Sequence, residues 1–375
     1  MEAMKLQYQI HNCHTHLFTI DHIPKYFLSR LFDTQWARKD WVAKLGKTLF
    51  RKQMNKFAAF FYSATKKDQG EVLDELRGYY PPDTRFCALS VDFDYMNAGP
   101  ARIGFLQQIE ELHQVAGQVN RAAGEELIFP FLGIDPRRPG LLSLVKRYVE
   151  EKGFKGFKLY PALGFFPTDR RLYEVYEYAQ RHELPITVHC IPKNKNHFRG
   201  RPGPEMVRKV QEIEGCRKKE LKSCYEIAQY LNHPHWYEQL LLDFPKLKLN
   251  FAHFGGNEEW DKYLDEPDPK FDNRGSWYAR IKELIKKYPN VYADISFTVY
   301  DRRLYPLLKI MLHSHYRDPA IFSPREKILL GSDFYMLQKD YRERRFGIDL
   351  RGYLSDDDYW QIAEVNPRRF LANSL

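Results

Sequence analysis

No stretch of this chain approaches the roughly 18 consecutive apolar residues that a helical membrane span requires, so a protein anchored that way is not expected. Cysteine is scarce: five in 375 residues, an odd number without close pairing. That argues against a disulfide framework and points to reduced thiols and a cytoplasmic home. The amino-terminal stretch lacks a basic region followed by an apolar core, so no secretory signal is expected there. No glycine-rich fingerprint follows the first apparent strand, which weakens a dinucleotide-binding doubly wound sheet. No internal repeat or low-complexity tract is visible.

What remains is an ordinary globular balance, 43% hydrophobic and 29% charged, with ample material for a large core. The length fits one large α/β barrel or two ordinary domains. The net charge of +9 is uneven. Residues 36–67 hold nine Lys/Arg against Asp40 alone, and residues 193–222 hold ten against four acids. Local positive charge suits an acidic small molecule better than a general affinity for nucleic acid. No nucleic-acid partner is expected, because the aromatics of 36–67 do not interleave with its charges as a base-stacking platform would need. They join a helical stripe of Trp41, Leu45, Leu49, Met54, Phe57 and Phe61 with a basic opposite face. This reads as a lid or hairpin over a barrel mouth, or against the partner in a homo-oligomer. A membrane-surface helix is the rival reading.

Strand-like and helix-like segments alternate along the chain. LQYQIHNCHTH, TRFCALSVDF, ELIFPFLGI, FKGFKLYP, LPITVHC, KLKLNFAHF, NVYADISF and EKILLGSDFY read as eight strands. Helical patterns separate them, and SDDDYWQIAEVNPRRFLANSL closes the chain as a helix. Eight such units in series predict an α/β fold, a (β/α)8 TIM barrel, with helical insertions at about 36–67 and 193–235, after strands one and five. The whole of 1–375 is expected to be one barrel domain. Both insertions then lie at the carboxyl-terminal mouth, where barrel active sites sit.

The residues that carry chemistry fall at the ends of these strands. His14 and His16 end strand one, Lys158 strand four, His189 strand five, His253 strand six and Asp333 strand eight. Strand side chains alternate, so His14 and His16 share a face and can reach one ion. A lone strand-end histidine is ordinarily a satisfied polar group. Four of them and an aspartate, in this order, point to a metal site with room for a water. Lys158 is read as a salt bridge to Asp333 or to a substrate acid. His11 lies off the shared face and is read as structural. Cys13 and Cys190 should point away from the neighbouring histidines and pack. His197, His233, His235, His313 and His315 fall in loops or helices and are read as solvated or capping. Arg137, Arg138, Arg199 and Arg201, and Tyr160 at the end of strand four, are candidates to contact a substrate carboxylate.

The set HNCHTH, GFKGFKLYP, LPITVHC, LKLNFAHFGG, NVYADISF, ILLGSDF and AEVNPRRFL resembles the amidohydrolase superfamily. Within it the amidohydrolase-2 group, which includes metal-dependent hydrolases and decarboxylases, is the nearest match. The resemblance runs from strand one to the last helix, outside the two insertions. One departure is Asn12, where the family usually has Asp. The resemblance implies that His14, His16, His189 and Asp333 bind one divalent ion, zinc by expectation, with His253 as the catalytic histidine. In binuclear relatives the lysine at the place of Lys158 is carboxylated and bridges two ions, the strand-five and strand-six histidines holding the second, so His253 and Lys158 could serve a second metal.

Such a site activates water at neutral pH. Asp333 is expected to take the water's proton and His253 to orient the water or polarise the scissile carbonyl. The expected reaction is hydrolysis of an ester, lactone or amide in a small anionic substrate, a carboxylic acid derivative. Non-oxidative decarboxylation of an aromatic or unsaturated acid on the same site is the alternative. A non-catalytic metal-retaining binding protein is a third reading, weakened by the intact ligand set.

Overall fold

The computed structural model describes residues 8–27, 62–192, 196–213, 216, 221–265, 275–314, 316–336 and 342–372. Eight parallel strands pair in chain order: β1 (His11–Thr15), β2 (Arg85–Leu89), β3 (Ile128–Ile134), β4 (Gly156–Leu159), β5 (Ile186–His189), β6 (Leu249–Ala252), β7 (Val291–Asp294) and β8 (Ile328–Leu329). The ring closes where the chain beyond β8 meets β1. Cys13 N–H donates to the Leu330 carbonyl at 2.8 Å, and Asp333 N–H donates to the His14 carbonyl at 2.8 Å. Thr15 and Phe334 add a parallel bridge. This is the TIM barrel that the alternation predicts.

Every strand residue except Arg85 is buried. Burial on both faces explains why the strands read as apolar runs rather than alternating patterns. The flanking helices are α1 (Gln69–Arg77), α2 (Phe105–Ala123), α3 (Leu141–Glu150) and α4 (Tyr173–Arg181). The insertion after β5 holds α5 (Pro204–Val210) and α6 (Cys224–Leu231) before α7 (His235–Asp243) leads to β6. Ser223 and Glu226 start α6 with a reciprocal capping box, which satisfies two otherwise orphaned N–H groups. The insertion after β1, including the Trp41–Phe61 stripe, lies outside the described residues apart from 62–67. Then come α8 (Asn257–Asp265), α9 (Trp277–Lys287), α10 (Tyr305–Leu312), α11 (Glu343–Tyr353), α12 (Asp356–Trp360) and α13 (Asn366–Leu371). Among the described residues no helix is long and apolar enough to cross a membrane.

Three local expectations are corrected. The eighth strand is laddered only at Ile328–Leu329, because residues beyond it turn to bond with β1. The closing helix is divided: a π-turn at Gln361–Val365 separates α12 from α13, just before Pro367, whose missing N–H cannot continue a regular ladder. Cys13 does not face away from His14. Asn12 pairs with Phe86 but Thr15 with Ala88, so β1 carries an extra residue against β2. Such a bulge breaks strict alternation. Cys13 packs with Cys87, Leu89, Phe129 and Phe131, a packing role as expected but on the inner side. Cys190 is buried in the other core cluster, and all five cysteines are free and buried.

A β-carbon added at Gly156 would lie 2.5 Å from Cε1 of Phe131 and 2.6 Å from the Pro185 carbonyl, whereas one added at Gly347 in α11 meets nothing within 4 Å. Gly156→Ala should therefore lose about 1–3 kcal/mol to overpacking, and Gly347→Ala should gain about 0.4–1 kcal/mol by restricting the unfolded chain. Thermal unfolding of both variants checks this, and an unaltered midpoint for Gly156→Ala would contradict the contact.

Candidate metal centre

His14 and His16 project from the end of β1 toward Asp333. The Nε2 atoms of His14 and His16 lie 3.5 and 3.3 Å from Asp333 Oδ1. The far side of each ring is held. His14 Nδ1 meets Asp294 Oδ2 at 3.1 Å, and His16 Nδ1 meets the Leu89 carbonyl at 2.9 Å. A carboxylate or carbonyl on one ring nitrogen sets the tautomer and leaves the other lone pair for an ion. The ligand atoms of His14, His16 and Asp333 all lie within 4.8 Å of one another, as do those of His14, His253 and Asp294. Two imidazoles and a carboxylate with held outer nitrogens fit a divalent transition ion.

Asp294 organises the rest. Asn250 donates to its Oδ2 at 2.7 Å, the His253 N–H donates to its Oδ1 at 3.1 Å, and the Ser296 hydroxyl bonds the same oxygen. The Ser296 hydroxyl also lies 3.0 Å from both His14 Nδ1 and His253 Nδ1. His253 Nε2 in turn meets His189 Nδ1 at 3.1 Å. His189 belongs to neither compact ligand group; its ring stands between His253 and the Tyr160 ring, 4.2 Å away. Of the four residues expected as one ligand set, three form a compact group, and His189 adjoins it through His253. Lys158 is buried with Nζ 3.4 Å from His14 Nε2, and no ion pair joins it to Asp333 among the described residues.

Burial governs the protonation of these groups. It pushes His14 down to about 3, with the Lys158 ammonium adding to the effect. It also lowers His253, and it lowers His189 well below the ordinary range, where the adjacent His253 ring adds to the effect. Desolvation brings Lys158 down to about 8. For Asp333 burial works the other way, yet the His16 hydrogen bond and the neighbouring histidines hold its carboxyl below the usual range. His14, His189 and His253 are therefore neutral imidazoles beside ionised carboxylates, the state in which both donate to a metal.

The backbone at this site is strained. Asp333 has φ +62° and His253 φ +65°. A non-glycine residue there costs about 1–3 kcal/mol and persists only where its surroundings hold it. Gly331 makes the room, since a β-carbon on it would come within 2.9 Å of the His14 β-carbon and 3.4 Å of that of Asp294. Along one side, Phe18 packs beside His16 and against Phe93 and Tyr335 as an apolar wall.

Other expected residues fall elsewhere. Arg137 donates to both oxygens of Asp135 and to the Tyr95 and Leu163 carbonyls. Arg138 forks onto Asp92 and reaches Asp94. Both guanidiniums brace loops at the mouth, with these carboxylates meeting their charge. Arg199 bonds the Phe27 carbonyl, and Arg201 lines an open groove with Tyr26 and Asn97. His11 sits at the start of β1, against the Gln9 carbonyl, and is structural. His233 accepts the His235 N–H at the start of α7, a capping role. His197 contacts Arg199, and His313 pairs with Asp358. His315 lies outside the described residues. Asp294, Asn250 and Ser296 were missed. The signal for Asp294 was available, a carboxylate closing the strand VYAD. The other two are ordinary polar residues whose role depends on what they face.

The amidohydrolase family model matches residues 12–372, so the chain belongs to that family, a family of metal-dependent enzymes. No protein of curated function matches the chain by sequence. Solved structures share the fold. The 5-carboxyvanillate decarboxylase of Sphingomonas paucimobilis is 13% identical, with 97% of this chain and 99% of that one covered and a TM-score of 0.53. The dihydroxybenzoic acid decarboxylase of Polaromonas sp. JS666, solved with manganese and the inhibitor 2-nitroresorcinol, is 13% identical with 98% and 99% covered and a TM-score of 0.52. An uncharacterized TIM-barrel protein of Bordetella bronchiseptica is 14% identical with 98% and 99% covered and a TM-score of 0.52.

Histidines held neutral by burial make stability depend on pH. Their folded values lie below the free-imidazole 6.5, with His11 and His14 at about 4 and 3. The unfolded chain then binds more protons than the folded one just below pH 6.5, so stability rises with pH there. Metal-free protein should show an unfolding midpoint that falls as pH drops from about 6.5 toward 4. A denaturant titration that is flat across that window would contradict the neutral cluster.

Proposed function

We propose that the chain is a metal-dependent hydrolase acting on a small carboxylic acid derivative, an ester, lactone or amide. The observation that carries this reading is the convergence of His14 Nε2, His16 Nε2 and Asp333 Oδ1 with both outer ring nitrogens already bonded. In this reading these three residues hold one divalent ion, zinc by preference, and His189 supplies the remaining donor. The group supplies Lewis-acid activation of water or of a carbonyl when bound. Asp333, ionised and buried, takes up the proton of the attacking water. His253, neutral and backed by Asp294 and Ser296, receives that proton from Asp333 and passes it to the leaving group. The Tyr160 ring beside His189 lines the substrate side, and the aromatic wall at Phe18 excludes water. Lys158, brought to about 8 by burial, stays close enough to neutrality to be carboxylated and serve a second ion. The whole chain acts as one barrel domain.

Decarboxylation is the second reading. It is favoured by the names of two structures with the same fold, which are decarboxylases of hydroxylated aromatic acids. There His253 takes up a proton from solvent and delivers it to the carbon that loses its carboxylate as carbon dioxide, and the same apolar wall accommodates the ring.

Products separate the two. A panel of lactones, amides and aromatic or unsaturated acids is incubated in 18O-labelled water and, separately, in D2O. Hydrolysis places label in the product carboxylate; decarboxylation releases carbon dioxide and leaves deuterium on carbon. With either substrate class His253→Ala should lower kcat by about 10²–10⁴-fold. An unchanged kcat would remove His253 from the chemistry, and no turnover of any panel member would count against both readings.

A further inference from the structure

The seam between β1 and the chain beyond β8 carries a second buried network that the proposed chemistry does not use. Asn12 lies at its centre, fully buried. Its Oδ1 accepts the N–H of His14 at 3.3 Å and the N–H of Ser332 at 3.1 Å. Two N–H donors can face only the carbonyl end of the amide, which fixes its orientation. Nδ2 therefore donates, to the Ser332 hydroxyl at 2.9 Å and to the Tyr80 oxygen at 3.1 Å. Tyr80, receiving that bond, sends its own proton to Glu343 Oε1 at 2.5 Å. Phe334 N–H closes onto the Ser332 hydroxyl at 3.2 Å.

One amide thus ties residues 12–14 of β1 to residues 332–334. Those two segments hold His14 and Asp333. Asp333 is the residue with φ +62°, and each of its neighbours is pinned by this network. Glu343 opens α11, on the outer side of the barrel, and is 2% exposed. Burial raises its carboxyl to about 7.

The network has a direction. Asn12 donates, Tyr80 passes on one proton, and the last member must accept. A carboxylate at position 12 would compete with Glu343 for the single Tyr80 proton. Asparagine at 12 and an acceptor at 343 are therefore a matched pair.

We propose that Asn12, Tyr80 and Glu343 form a directional hydrogen-bond relay that positions Asp333 against His14 and His16. Asn12 and Glu343 are positioning residues, because they touch neither substrate nor ion. The inference rests on the reading of His14, His16 and Asp333 as a metal site.

Zinc affinity by chelator competition, and the visible spectrum of cobalt-loaded protein, test it on the full chain. Asn12→Asp should weaken zinc binding by about 10–100-fold and alter the cobalt bands. Glu343→Gln still accepts from Tyr80 and should stay within about threefold of wild type. The double variant Asn12→Asp, Glu343→Gln reverses the bond directions, because the new Gln amide donates to Tyr80 and Tyr80 to the new carboxylate. It should recover to within about threefold of wild type. Should Asn12→Asp not fold, Tyr80→Phe cuts the relay while keeping the ring, and a loss of about tenfold is expected. Wild-type zinc affinity and cobalt bands in Asn12→Asp or, in its place, Tyr80→Phe, would overturn the relay. So would a double variant as weak as the single. A wild-type protein that binds no zinc or cobalt would instead overturn the metal-site reading, and the relay with it.

Discussion

The hydrogen bond between the Asp294 carboxylate and His14 Nδ1 organises the centre. It lies wholly inside the barrel, at 3.1 Å between two fully buried side chains. A buried carboxylate is costly unless its oxygens are satisfied, and Asn250, Ser296 and the His253 N–H satisfy them. The same bonds orient His14 toward Asp333 and place His253 beside His189. Removing the Asp294 carboxylate would leave two histidines without their reference point. One residue at the end of β7 therefore holds both the proposed ligand and the proposed proton carrier.

The barrel makes this possible by bringing distant strands side by side. β7 and β1 do not pair, yet Asp294 and His14 meet across the interior because both point inward at the same height. Gly331 keeps that space open, since even a methyl group there would meet the His14 β-carbon. Closure then depends on the short stretch after β8, whose polar backbone groups bond to β1 rather than continue a ladder. The strained conformation of Asp333 belongs to this turn. Strain of this kind is sustained by surrounding bonds, here from residues on β1.

The fold was legible in the sequence because buried parallel strands are apolar runs separated by amphipathic helices, and eight of them leave few topologies. The convergence of His14, His16 and Asp333 was legible for the same reason: each ends a strand, and strand ends converge. The separation of His189 from that trio was not legible, because it depends on side-chain direction rather than on spacing. The inward turn of Cys13 was hidden for a different reason. A one-residue bulge in β1 reverses the alternation without any glycine to mark it. The bracing role of Arg137 and Arg138 was not legible, because the acids that neutralise them, Asp135 and Asp92, lie on the same loop and on a neighbouring one. Their sequence shows two cations; only the fold shows that each has a carboxylate partner.

The central claim is that His14, His16 and Asp333 form one metal site. Metal content of the purified chain after loading with zinc or manganese and desalting tests it most directly, with His14→Ala, His16→Ala and Asp333→Ala beside His11→Ala as a control on the same strand. About one ion per chain in wild type and His11→Ala, and little in the other three, is the result this account predicts, because each removes one of the proposed donors. Equal metal in all five proteins, or none in wild type, would contradict it.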